Sequence, residues 1–166
     1  QLREVAVVTK DDERNGNSTS MHDIDRSSFD LSSMPDVEKK CRLALRCFQE
    51  YPLTNVVTMM IDRALLLLIL VLSVQPINQE DEVVSTLEIL LSNRKKLYKD
   101  VYHPRIAEIY FNIAEVNYSK GELETSVKFM NKSIRIVRQV YGDCHDNTAC
   151  MLECLAHFHL SGDIAS

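Results

Sequence analysis

A helical-hairpin pattern written twice, 42 residues apart, constrains this chain more than any other feature in it. The first copy opens at His103 and reads HPRIAEIYFNIAEVNYSKGELETSVKFMNKSIRIVRQVYG. In its first half Ala107, Tyr110, Ile113, Ala114 and Asn117 fall on one helical face. In its second half Leu123, Val127, Met130, Ile134, Val137 and Tyr141 step by three or four, the signature of an amphipathic helix. Pro104 suits a first helical turn, Gly121 a turn between helices, and Gly142 a left-handed helix end. The second copy opens at His145-Asp146, with Ala149, Leu152, Leu155 and Ala156 at the offsets of Ala107, Tyr110, Ile113 and Ala114. A hairpin of this kind cannot bury its apolar face alone and stacks on its neighbours.

These residues resemble a tetratricopeptide repeat of the long, kinesin-light-chain-like type. The resemblance rests on His103-Pro104, Asn112-Ile113-Ala114, Gly121-Glu122-Leu123 and Val140-Tyr141-Gly142, and it spans 103–149. The small positions of the second helix are Ser126 and Ser133, where the family usually has alanine. The resemblance implies an all-α fold of antiparallel helical hairpins stacked as a short right-handed solenoid. Its best-matched repeat is 103–144, followed by a repeat over 145–166 that looks cut short. It also implies a scaffold or adaptor that binds proteins, without naming the partner.

The remainder of the chain is read as follows. Residues 1–34 carry six serines, four basic and seven acidic residues and no sustained periodicity, so a linker or disordered arm is expected there. The helical domain then covers 35–166. Its first helix is expected from Pro35, capped by Ser33, with Val37, Cys41, Ala44, Phe48 and Tyr51 as the buried stripe. The second runs from about Thr54 to Val74. Its uncharged run, Ala64 to Leu72, is too short to span a membrane, so a central helix buried on most sides is expected instead. A turn follows at Gln75-Pro76-Ile77-Asn78, and Asn78 with Asp81 can cap the third helix. That helix shows Val84, Leu87, Leu91 and Tyr98 on one face, and Arg94-Lys95-Lys96 reads as a solvated cationic end. The sixth helix runs from Asp146 to about Leu160, with a turn at Gly162 into a helix that is cut off. Its uncovered flank favours self-association.

Charge and cysteine usage narrow the function. A net charge of −5 gives no bulk attraction to nucleic acid. Five cysteines without a Cys-x-x-Cys pair fit a reducing, cytoplasmic location. Cys150, Cys154 and His157 share one helix and could in principle begin a zinc site, but structural zinc sites draw ligands from loops or knuckles. No phosphate loop, His-Glu-x-x-His or paired-carboxylate signature occurs, so neither an enzyme nor a cofactor is expected. The alternative of a different class is the C-terminal helical domain of a SET/MYND-type lysine methyltransferase, whose repeats are similar.

The resemblance places a binding groove along the first helix of each repeat. The positions beside the core set are Glu108, Phe111, Asn112, Glu115 and Tyr118, continued by Cys150, Glu153, Cys154 and His157. Asn112 would hold a peptide backbone through its amide. Glu108, Glu115 and Glu153 would steer an extended peptide bearing Lys or Arg, and Phe111 and Tyr118 would supply apolar contact.

Overall fold

The computed structural model describes residues 33–74 and 79–165, with side chains described as far as residue 160. The expected arm, and the turn holding Asn78, lie almost wholly outside the described residues. The described residues form six helices and no strand: α1 (Met34–Gln49), α2 (Asn55–Val74), α3 (Glu80–Tyr98), α4 (Pro104–Ser119), α5 (Leu123–Tyr141) and α6 (Asp146–Ala165). The chain divides into two compact units between Thr86 and Leu87, inside α3 and inside the stretch expected to be one repeat domain.

In the first unit α1 and α2 pair as a hairpin. Met34 and Cys41 are buried, Val37, Ala44 and Phe48 are half-buried, and Tyr51 is exposed rather than part of the stripe. Ser33 occupies the N-cap position in helical rather than extended geometry, and its hydroxyl makes no cap hydrogen bond. A side-chain cap bond does form at the start of α2, where Thr54 Oγ1 accepts from the Val57 N–H at 3.3 Å.

Helix α2 is not buried on most sides. Ala64, Leu65, Leu68, Ile69, Val71 and Leu72 are buried, while Val56, Met59, Met60 and Leu67 are exposed. The helix is continuous through Asp62-Arg63, so by length and composition alone it could cross a membrane. Length therefore does not exclude a span. The opposing argument is the cost of an Asp-Arg pair near the middle of the helix.

In the second unit α4, rather than α2, is the helix enclosed on nearly every side. Ile106, Ala107, Ile109, Asn112, Ile113, Ala114, Val116 and Asn117 are all buried. The α4–α5 hairpin closes through small residues. Ser126 Oγ donates to the Ala114 carbonyl and Ser133 Oγ to the Ala107 carbonyl, each at 2.7 Å. Both serines are fully buried, and their seven-residue spacing matches that of Ala107 and Ala114. Ser126 and Ser133 thus bring α5 close to α4 at Ala114 and Ala107, with Met130 packed beside Ala114 between them. Asn117 closes the far end, its Nδ2 donating to the Ile113 carbonyl at 2.7 Å and its own carbonyl accepting from the Glu122 N–H at 2.9 Å.

Helix α6 packs on α5 and keeps the repeat offset, since Asp146, Thr148 and Phe158 stand 42 residues after Pro104, Ile106 and Val116, but fewer of its positions are covered. Thr148 and Phe158 are buried, and Leu152 and Leu155 are partly so. Ala149 and Ala156 are exposed. Phe158 enters the cluster of Ala114, Met130 and Ile134 from the position that Val116 holds in α4, while Ala149 and Ala156 are covered on fewer sides than Ala107 and Ala114. The turn expected at Gly162 does not form, since α6 continues to Ala165.

Two junctions repeat a shared design. In the first, Tyr98 is followed by Lys99 at φ 54°. In the second, Tyr141 is followed by Gly142 at φ 89°. Lys99 takes the place of Gly142, the extra residue ahead of His103 falling within 100–102, and a left-handed lysine is a strained choice, worth about 1 kcal/mol against glycine. In both junctions the histidine that opens the next helix stacks on the tyrosine that closes the last one. The ring centroids are 3.6 Å apart for Tyr98–His103 and 4.6 Å for Tyr141–His145.

Candidate functional site

The opening histidines have a structural task that their His-Pro and His-Asp spelling does not reveal. His103 is the N-cap of α4, and its Nδ1 accepts from the Arg105 N–H at 3.2 Å. His145 does the same for α6, accepting from the Asn147 N–H at 3.1 Å. Pro104 lacks an N–H, so Arg105 carries the first donor of the α4 backbone that needs a partner.

Only an unprotonated Nδ1 can accept, and a charged imidazolium at a helix N-terminus also opposes the dipole. Burial holds the His103 imidazole below its ordinary value, with Asp100 opposing that shift and Arg105 and Arg94 adding to it. A depressed histidine favours the folded state above the unfolded value and loses that contribution as pH falls through the folded one. Acidification from about pH 7.5 to about pH 5 is therefore expected to remove roughly 1 kcal/mol from this cap. Urea melts of the chain and of His103→Asn check it. Asparagine keeps a cap acceptor without titrating, so an unchanged acid sensitivity in that variant would exclude His103 as its source.

The groove residues divide into two groups. Phe111 and Tyr118 of α4 are partly buried beside the Ala114–Met130–Ile134–Phe158 cluster, together with Cys154 of α6. Tyr118 stacks on Phe158 with centroids 4.3 Å apart, and its hydroxyl lies 3.3 Å from His157 Nδ1. The Tyr118 and His157 rings meet edge to face at 6.0 Å. The structure therefore brings Phe111 and Tyr118 of α4 to the same surface as His157 of α6. Glu115 and Glu153 stand one turn back from Tyr118 and His157, Glu115 half-buried and Glu153 exposed.

Asn112 and Glu108 do not join this surface. Asn112 is 4% exposed, so its amide is not offered from an open groove. It sits on the enclosed side of α4 with Ile109, Ile113 and Val116, where the helical period carries it once α4 is central. Glu108 belongs to a charge cluster. Arg94 Nη1 is 3.4 Å from Glu108 Oε2 and donates to the Arg105 carbonyl at 2.9 Å, and Arg105 Nη1 is 3.6 Å from Glu108 Oε2. Burial raises the Glu108 carboxyl above its ordinary value, against the pull of the Arg105 and Arg94 guanidiniums. A carboxylate held by two guanidiniums is already matched and is not placed to steer a ligand.

Arg94 is the residue that sequence reasoning misplaced. The expected solvated end contains a guanidinium whose side chain is only 4% exposed. A signal was present, because Leu87, Leu90, Leu91 and Arg94 share one helical stripe, and all four are buried. Cys150, Cys154 and His157 are not gathered around a common point. Cys150 is exposed, Cys154 turns to the core cluster and His157 meets Tyr118. Among the described residues no three His, Cys, Asp or Glu side chains form a group that could hold a metal ion. No protein-family model matches this chain, and no curated protein matches it.

Proposed function

We propose that this chain is a non-catalytic protein-interaction module, a short right-handed tetratricopeptide-like solenoid that takes an extended Lys- or Arg-bearing peptide on its α4–α6 face. The observation that carries the reading is the contact of Tyr118 with His157, which joins α4 and α6, the helices that open successive copies of the repeat pattern, at one surface. Phe111 supplies apolar area there, and Glu115 and Glu153 supply negative charge. Serine hydroxyls bonded across the α4–α5 contact serve the same close approach that alanines serve in such repeats. All five cysteines are free, which suits a cytoplasmic location, and the net charge of −5 suits a basic partner better than nucleic acid or a membrane span.

The test is calorimetric titration with a dodecapeptide of Lys-Leu-Gly repeats and its Gln counterpart. Wild type is expected to prefer the Lys peptide by about tenfold, and raised salt should weaken it. The Glu115→Lys/Glu153→Lys variant should lose that preference while keeping its circular dichroism spectrum. Equal binding by wild type and variant would place the site elsewhere.

A further inference from the structure

The cations of α5 are not treated alike. At either end they are matched by carboxylates, Lys128 to Glu124 at 2.7 Å and Arg138 to Asp143 at 2.8 Å. The two between them contact aromatic groups. Lys132 Nζ lies 4.6 Å from the Phe129 ring centre and 5.6 Å from that of Tyr110, and Arg135 Nη2 reaches the Tyr102 hydroxyl at 3.4 Å. Lys95 of α3 lies 5.4 Å from the centre of the same Tyr110 ring. Lys95, Lys132 and Arg135 are exposed, while Tyr110 and Phe129 are half-buried beneath them with centroids 6.0 Å apart. Three helices thus build one strip with cations outermost and rings beneath.

We propose that this strip docks an acidic peptide segment of a partner protein. A ring restrains the lysine that rests on it, so less side-chain freedom is lost when a ligand arrives. An ammonium group has three N–H donors, and contact with a ring leaves donors directed at solvent, where a carboxylate can accept them. The half-buried rings add apolar contact for the ligand's neighbouring side chains. Single-stranded nucleic acid fits less well, because base stacking needs open ring faces and here ammonium groups sit over them. The strip is opposite in charge to the Tyr118–His157 surface, although Phe129 beneath it packs on the same core cluster as Phe111 and Tyr118, so the two proposed segments would be held by different charged side chains.

The experiment titrates the whole chain by calorimetry with a dodecapeptide of Glu-Leu-Gly repeats, its Gln counterpart and an oligothymidylate. The Glu peptide is expected to bind at least about tenfold more tightly than the Gln peptide, and to weaken several-fold between about 50 and about 200 mM salt. Lys95→Glu/Lys132→Glu should abolish that preference and Lys95→Arg/Lys132→Arg should retain it. Glu115→Lys/Glu153→Lys should leave it intact, which separates this strip from the α4–α6 face. Lys95, Lys132 and Glu153 are exposed and Glu115 is half-buried, and circular dichroism confirms that each variant is folded. Absence of binding up to about 1 mM peptide, equal binding of the Glu and Gln peptides, or an unaffected charge-reversal variant would overturn the proposal. So would tighter binding of the oligothymidylate through the same lysines.

Discussion

Arg94→Ala is expected to lower the stability of the chain by about 3 kcal/mol, the cost of breaking a buried charge pair by removing one partner. The deletion leaves the Arg105 carbonyl without its guanidinium donor and Glu108 with Arg105 as its remaining cation. Arg94→Lys should recover only part of the loss. A single ammonium on a flexible stem does not reproduce the planar fork that reaches a carbonyl and a carboxylate together. The pH dependence follows from the raised carboxyl of Glu108. A carboxyl raised by folding penalises the folded state above the ordinary carboxylate value, and the penalty fades as pH falls through that window. Removing Arg94 takes away one of the two forces opposing the shift, so the variant's deficit should be larger at pH ~7 than at pH ~4.5. Urea melts of both proteins at the two pH values check this. A deficit within about 0.5 kcal/mol of zero would mean that the buried guanidinium contributes no net stability.

Ser133→Leu is expected to be at least as damaging, costing about 3 kcal/mol or preventing α5 from docking on α4. Ser133 is fully buried, its Oγ is 2.7 Å from the Ala107 carbonyl oxygen and 3.3 Å from Met151 Sδ, and no space exists for three further carbons. Ser133→Ala should cost only about 1 kcal/mol, the net worth of one hydrogen bond, because it preserves the close approach. The contrast matters more than either number. Similar losses from Ala and Leu would locate the importance of Ser133 in its hydroxyl rather than its size. Thermal melts read by circular dichroism decide between them.

Several features were legible in the chain because they are local. The helices from Pro104 to Tyr141 follow from apolar periodicity and from punctuation at Pro104, Gly121 and Gly142. The matching seven-residue steps of Ala107–Ala114 and Ser126–Ser133 marked the faces that meet. That Tyr118 and His157 share one side of α4 and α6 was legible because each residue's face is fixed by its own helix and the repeat aligned the two helices. The coverage of α6 was not, since the offset from α4 places Ala149 and Ala156 but does not say how many neighbours cover them.

Asn112 and Arg94 mark the limit more sharply. Helical period places Asn112 one step from the core stripe, but whether that step faces solvent depends on how many neighbours surround α4. Arg94 reads as one of three consecutive cations, yet its stripe is covered and its neighbours Lys95 and Lys96 are exposed. A buried guanidinium is tolerable only where a carbonyl and a carboxylate meet it, and here both come from the next helix. Sequence determined which residues are helical, where α4 and α5 stop and which residues share a face, because those depend on backbone sterics and a fixed period. The packing of α3, α4 and α5 alone decided which faces are covered, which charges are matched and which cations remain outermost, because solvent exclusion and Coulombic partners arise between segments far apart in the chain.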